Sequence, residues 1–358
     1  MSEQGGPQGG ANNDTASEQR PREQPRRTNW PLHIGLFLLT CATTTWAGVL
    51  QVQHEISPFR LDLLLPHFAD GLSYSVSIMA ILLAHEMGHY VVSQRNGVAA
   101  SLPYFIPLPL PDFLGNVLGT LGAVIRMKGI IPNRRVMLDI GVAGPLTGLV
   151  VAVPVLVLGL SLSHVEPLPL DQAYSMEGNS LLYLLIKYAM FGQWLPSGGV
   201  DVFIHPVAFA GWAGLLVTSL NLIPAGQLDG GHVLYSLVGD RAGALRWPII
   251  LGLAVLGLLV WPGWFLWAGL VFLFGGGHPP PLDGLTRLGT GRKVLAVLAL
   301  VAFVLTFTPQ PLIFVFPEAQ EPFLDPGQSV MGLATGLAGL YWLGRRRLLR
   351  PRPGPGED

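Results

Sequence analysis

Apolar residues run through this chain in long unbroken blocks separated by Pro, Gly and charged clusters, the pattern of bilayer-crossing helices and not the one-sided stripe of a soluble helix. Blocks at Trp30–Leu50, Gly71–Ser93, Val136–Leu162 and Pro206–Ile223 predict four spans, the last stopped by Pro224. Ile249–Val260 and Trp264–Phe274, joined by Trp261-Pro262-Gly263, predict a helical hairpin. Val294–Phe307 and Val330–Leu343 bring the expected total to about eight.

Residues 101–133 break the pattern. Pro103, Pro107, Pro109 and Pro111 forbid a helix, yet Tyr104, Phe105, Ile106, Leu108 and Leu110 are too apolar for water. The segment is expected to re-enter the protein at membrane depth, because unpaired backbone cannot face lipid. Within it, Leu118–Met127 reads as two short strands around a Gly-containing turn, and offers a sheet edge. Residues 180–195 predict an amphipathic, interfacial segment. The expected fold class is therefore an all-α polytopic membrane protein of about eight transmembrane helices with a small re-entrant β-hairpin element.

Composition sharpens this. Of 358 residues, half are hydrophobic and 12% charged, against roughly 25% charged in soluble domains. The lipid bilayer is the first expected partner, and no nucleic acid is expected. A lone cysteine, Cys41, excludes an internal disulfide framework. Residues 1–29 are polar, Gly- and Pro-rich, and read as a disordered cytoplasmic tail. The remaining divisions are a first helix and external loop at 30–70, a membrane core at 71–240, C-terminal helices at 241–344 and a basic cytoplasmic tail at 345–358. With both termini inside, 19 of the 21 Lys and Arg residues fall on the cytoplasmic side, only Arg60 and Lys187 opposing. The expected location is a bacterial cell membrane, multi-pass, with cytoplasmic N- and C-termini.

The chemistry sits in the second span, at His85-Glu86-Met87-Gly88-His89. Helical spacing places His85 and His89 one turn apart on one face, able to reach a single ion, with Glu86 about 100° away as the general base of an HExxH zinc site. Three ionisable groups in five residues of a membrane helix cost several kcal/mol unless paired or metallated, which sets a metal site above a pair of structural histidines. One Zn²⁺ needs a third protein ligand and an open position. Asp229 is the best candidate, because Pro224, Gly226, Gly230 and Gly231 unwind the helix around it. The rival, Asp139, lies four residues after Arg135, and an i,i+4 ion pair accounts for it. His232, three residues after Asp229, is either a donor to that carboxylate or a plain helix-end histidine.

HExxH at 85–89, followed by Asn221, Pro224, Leu228, Asp229 and Gly230 in the order N-x-x-P-x-x-x-L-D-G, closely resembles the site-2 protease family of intramembrane zinc metalloproteases. Ala143-Gly144-Pro145 is similar to a stretch of the helix between those motifs. The Pro-rich segment resembles the re-entrant β-element of chloroplast and bacterial members without PDZ or CBS domains. The resemblance implies that His85, His89 and Asp229 bind zinc, Glu86 is the base, and Asn221 contacts the substrate near the scissile bond. It implies a zinc-dependent endopeptidase cutting in or near the transmembrane segment of a single-span membrane protein substrate. Gly119, Thr120 and Leu121 are the candidate residues for pairing with that substrate as an added strand. The rival from another class is a non-proteolytic membrane scaffold that holds metal or binds membrane partners.

Overall fold

A computed structural model describes residues 28–52, 65–109, 118–169, 174–274 and 282–315. The expected tails at 1–29 and 345–358 and the span at Val330–Leu343 lie outside the described residues, apart from positions 28 and 29. The apolar blocks fold as helices α1 (Trp30–Val52), α2 (Phe68–Arg95), α3 (Arg134–Ser161) and, shorter, α5 (Pro206–Asn221). Between α3 and α5 lies α4 (Leu181–Phe191), the expected interfacial segment. Beyond them come α6 (Asp229–Val238), α7 (Ala242–Leu259), α8 (Trp264–Phe274) and α9 (Thr290–Thr306). Among the described residues, four stretches are long and apolar enough to cross a membrane: Trp30–Val52, Leu65–Arg95, Arg134–Ser161 and Asp229–Leu259. The protein is thus mainly helical and membrane-embedded.

One boundary differs from expectation. The run expected to begin at Ile249 starts earlier, at Ala242 of α7, set off from α6 by Gly239, whose φ of +66° breaks the helix, and by a 3₁₀ turn at Gly239–Arg241. Charged Arg246 hid that start, because an apolar window stops at charge where a helix need not. α7 and α8 do form the expected hairpin.

The hairpin in the re-entrant segment also differs. Its arms are β1 (Tyr104–Pro107) and β2 (Thr120–Val124), antiparallel with Tyr104 opposite Val124, and not two strands within 118–127. Proline is tolerated at the end of a short edge strand, so Pro107 ends β1 without excluding it. Gly119 and Gly122, with φ of +71° and +94°, bend the backbone at and within β2 where a turn was expected. The hairpin is seated on α1. A Cβ at Gly119 would lie 2.5 Å from Thr43 O, and the buried His33 ring bonds Pro103 O through Nδ1 at 3.0 Å.

The core lies where α2, α3 and α5 meet, around Tyr74, Ile78, Ile81, Leu156, Trp212 and Leu215. Small residues let these helices touch backbone to backbone, since lipid supplies no hydrophobic drive between them. A Cβ at Gly159 would stand 2.0 Å from Ala208 N, and one at Gly211 2.5 Å from Leu156 Cα.

One end of the helices is basic. There Arg134 donates to Ser236 O at the end of α6, Arg135 to Arg287 O, and Arg292 of α9 to Asp139 of α3. The backbone N–H groups of Leu282 and Asp283 donate to Ile131 O and Pro132 O, strapping that segment across the start of α3. Past the C-terminus of α3 the chain forms a cap from α4 and strands β3 (His164–Pro167), β4 (Tyr174–Glu177), β5 (Val200–Phe203) and β6 (Leu312–Val315), paired β3 with β5 and β4 with β6.

Candidate metal centre

His85 and His89 face α3 from α2, and the approach depends on α3 being small there. A Cβ at Gly144 would fall 2.0 Å from His89 Nε2, and one at Gly148 3.2 Å from His85 Nδ1. Across the same contact, a Cβ at Gly88 would lie 2.5 Å from Ala143 O. Pro145 has no amide for Gly141 O, and in this loosened turn Ile140 O accepts a 2.8 Å hydrogen bond from His89 Nδ1. That bond fixes the tautomer and leaves the Nε2 lone pair facing the site.

Asp229 arrives from the other side, at the first residue of α6. The turn before it folds back so closely that a Cβ at Gly230 would sit 2.0 Å from Leu222 O, and one at Gly231 2.2 Å from Gly226 O. Gly226 itself takes φ +59°. The two glycines after Asp229 are therefore what allow a tight turn to present its carboxylate across the bundle.

The three groups converge. His85 Nε2 lies 3.2 Å from His89 Nε2 and 3.3 Å from Asp229 Oδ2, and His89 Nε2 lies 3.2 Å from the same oxygen. Ligands about 2.0 Å from a tetrahedral zinc stand about 3.3 Å from one another, so the triangle fits one such ion. Side-chain exposure is 5% for His85, 8% for His89 and 16% for Asp229, so the site opens past the carboxylate. Among the described residues this is the cluster of His, Cys, Asp and Glu that could hold a metal.

Residues 73–252 match the sequence pattern of Peptidase family M50. The chain belongs to peptidase family M50. A relative, the probable zinc metalloprotease EGY1, chloroplastic, of Arabidopsis thaliana, is 33% identical over 329 residues, covering 85% of this chain and 58% of its own length. EGY1 of Oryza sativa subsp. japonica is 34% identical over 261 residues, 70% of this chain and 43% of that protein. EGY2 of A. thaliana is 29% identical over 251 residues, 70% and 44%. The chain thus spans about half the length of these curated relatives. The site-2 protease resemblance and the zinc cofactor both stand on these M50 matches together with the ligand geometry.

The remaining expected residues fall around this M50 site. Glu86 is buried on α2 and faces the backbone amide of Ile125, directly after β2. Asn221 closes α5, its Nδ2 3.4 Å from His85 Nε2. His232 is buried against Gly141 of α3. Thr120 is buried and bonds Ile106 O through its hydroxyl at 2.8 Å, whereas the Leu121 side chain points outward, 67% exposed. Asp139 is held away from the metal. Its partner is Arg292, with bonds of 2.7 and 2.9 Å to its two oxygens, and not Arg135 as the i,i+4 spacing suggested. Sequence reasoning did not reach Ile140 and Ile125, because they act through backbone atoms that carry no residue-type signal. Gly144 was legible as part of the small-residue stretch Ala143-Gly144-Pro145, though not as the wall of the site, and Gly148 was not read from the sequence at all.

Proposed function

We propose that this M50 chain is a zinc-dependent endopeptidase that hydrolyses a peptide bond in or beside the transmembrane segment of a single-span membrane protein. The observation that carries the reading is the His85–His89–Asp229 triangle, sized for one zinc, with Glu86 on the same buried helix and the end of a short strand beside it.

Each residue has a proposed part. His85, His89 and Asp229 hold the ion, which when bound would supply a Lewis acid for the scissile carbonyl and acidify the water that hydrolysis needs. Glu86 takes the proton from the attacking water and returns it to the leaving amine as the C–N bond breaks. Asn221 donates from Nδ2 to the oxygen that gathers negative charge. His232, one turn into α6, steadies the Asp229 end of the site. A helical substrate hides its carbonyls in i to i−4 bonds, so it must unwind before it is cut. The β2 edge at Gly119, Thr120 and Leu121 would take the unwound stretch as an added strand, which favours substrates with Gly, Pro or Asn in the span.

The charge asymmetry supports an orientation with the basic end, and both termini, in the cytoplasm of a bacterial cell.

The test is cleavage of a single-span substrate by the purified full chain in liposomes. Wild-type protein should cut and lose activity on chelation. Glu86→Gln should keep its zinc and lose about 10²- to 10⁴-fold in rate. Cleavage by Glu86→Gln at the wild-type rate would remove Glu86 as the base, and no cleavage by the zinc-loaded wild type would favour the scaffold reading.

A further inference from the structure

The cap holds four ionisable side chains that hydrolysis does not use. Glu177 of β4, Tyr183 and Lys187 of α4, and Asp201 of β5 are all buried, Tyr183 and Lys187 completely. Tyr183 donates its hydroxyl proton to Glu177 Oε1 at 2.7 Å. Lys187 Nζ stands 3.4 Å from Asp201 Oδ1 and 4.6 Å from the Tyr183 ring centre. The group is set apart from the metal centre: Trp212, which bonds Gly178 O beside Glu177, and Asn221, which reaches His85, are separated by about 13 Å of helix on α5.

Counting charge shows an imbalance. Among the described residues, Lys187 supplies one positive charge, and Asp201 and an ionised Glu177 supply two negative ones, so one buried negative charge is left uncompensated there, which is costly. Among the described residues, the other groups around Glu177 and its neighbour Gly178 are neutral: the Tyr183 phenol, the Trp212 indole of α5 bonded to Gly178 O at 2.8 Å, and Pro311 O just before β6, which accepts from Gly178 N at 2.8 Å. Nearby Asn179 Oδ1 is buried with no donor. A neutral Glu177 removes the excess charge and brings a donor proton into that neighbourhood.

We propose that Glu177, Tyr183, Lys187 and Asp201 form a proton-operated latch that docks α4 and the β4–β5 segment more tightly as the pH on the cap's side of the membrane falls. Burial pushes the Glu177 carboxyl up to about 7 from an ordinary 4.5. An acid whose folded value is raised contributes stability that is complete below its ordinary value and is lost as pH rises through the folded value. The window is therefore pH 4.5 to about 7, with tighter docking at the acidic end. One proton changes the opening equilibrium by at most about tenfold per pH unit.

The latch is tested by hydrogen–deuterium exchange of the full chain in nanodiscs at pH 8 and pH 5.5, read as protection factors for peptides within 174–203. Protection should rise about tenfold or more on acidification in the wild type. In Glu177→Gln it should be high and equal at both pH values. Equal wild-type protection at both pH values, or an unchanged pH response in Glu177→Gln, overturns the proposal. Should Glu177→Gln not fold, Asp201→Asn serves. It frees Lys187 to compensate Glu177, so the midpoint should fall by a unit or more; an unmoved midpoint is equally fatal. The readout is structural, so it stands apart from whether the metal centre cleaves anything.

Discussion

Gly144 contributes by what it lacks. An added Cβ would overlap the His89 nitrogen that faces the ion, so Gly144→Ala should abolish zinc retention. Gly148→Ala meets His85 at 3.2 Å, where a shift of a few tenths of an ångström suffices, and should keep most of its zinc. Metal analysis of the two proteins side by side checks this, and equal retention would mean that α3 does not press on the ligands as described. At this scale the ligands were legible: HExxH announces itself by residue type, and Asp229 by the cost of an isolated carboxylate in a membrane. Asp139 shows where such reasoning errs. Sequence spacing offered Arg135 as partner, but the residue that binds it, Arg292, lies on α9, far away in sequence. The pair is partly exposed and stabilises by only about 1 kcal/mol, so Asp139→Asn should retain full zinc with a small loss in thermal stability.

Among elements, the re-entrant hairpin is the one whose existence was readable and whose pairing was not. Proline and apolar residues together excluded both helix and solvated loop, which left a buried strand. The partner was misread because Gly119 and Gly122 look like a turn, while one is pressed against α1 and the other bends β2. This makes a test with an internal control. Gly97 and Gly119 share nearly the same φ, +70° and +71°, but a Cβ at Gly97 meets nothing within 4 Å whereas one at Gly119 meets Thr43 O at 2.5 Å. Alanine at 97 should cost about 1 kcal/mol for the left-handed backbone alone. Alanine at 119 should cost about 2 to 4 kcal/mol, through the added clash with α1. Thermal unfolding of the two variants separates backbone strain from packing, and equal melting temperatures would contradict the seating of the hairpin on α1.

For the whole molecule, one helix packing explains why two motifs 140 residues apart act together. α3 is the common neighbour of α2 and α6, and its glycines let HExxH and the Asp229 turn close on the same point. Charge sorts the two ends of the bundle, with Arg134, Arg135 and Arg292 tying the basic end and the Glu177 cluster buried in the cap opposite. Zinc per chain in purified wild type, His85→Ala, Asp229→Ala and Glu86→Gln tests the centre of this account most directly. Near one zinc in the wild type and Glu86→Gln, with loss in His85→Ala and Asp229→Ala, is the predicted result. Full retention by Asp229→Ala, or no zinc in the wild type, would contradict it.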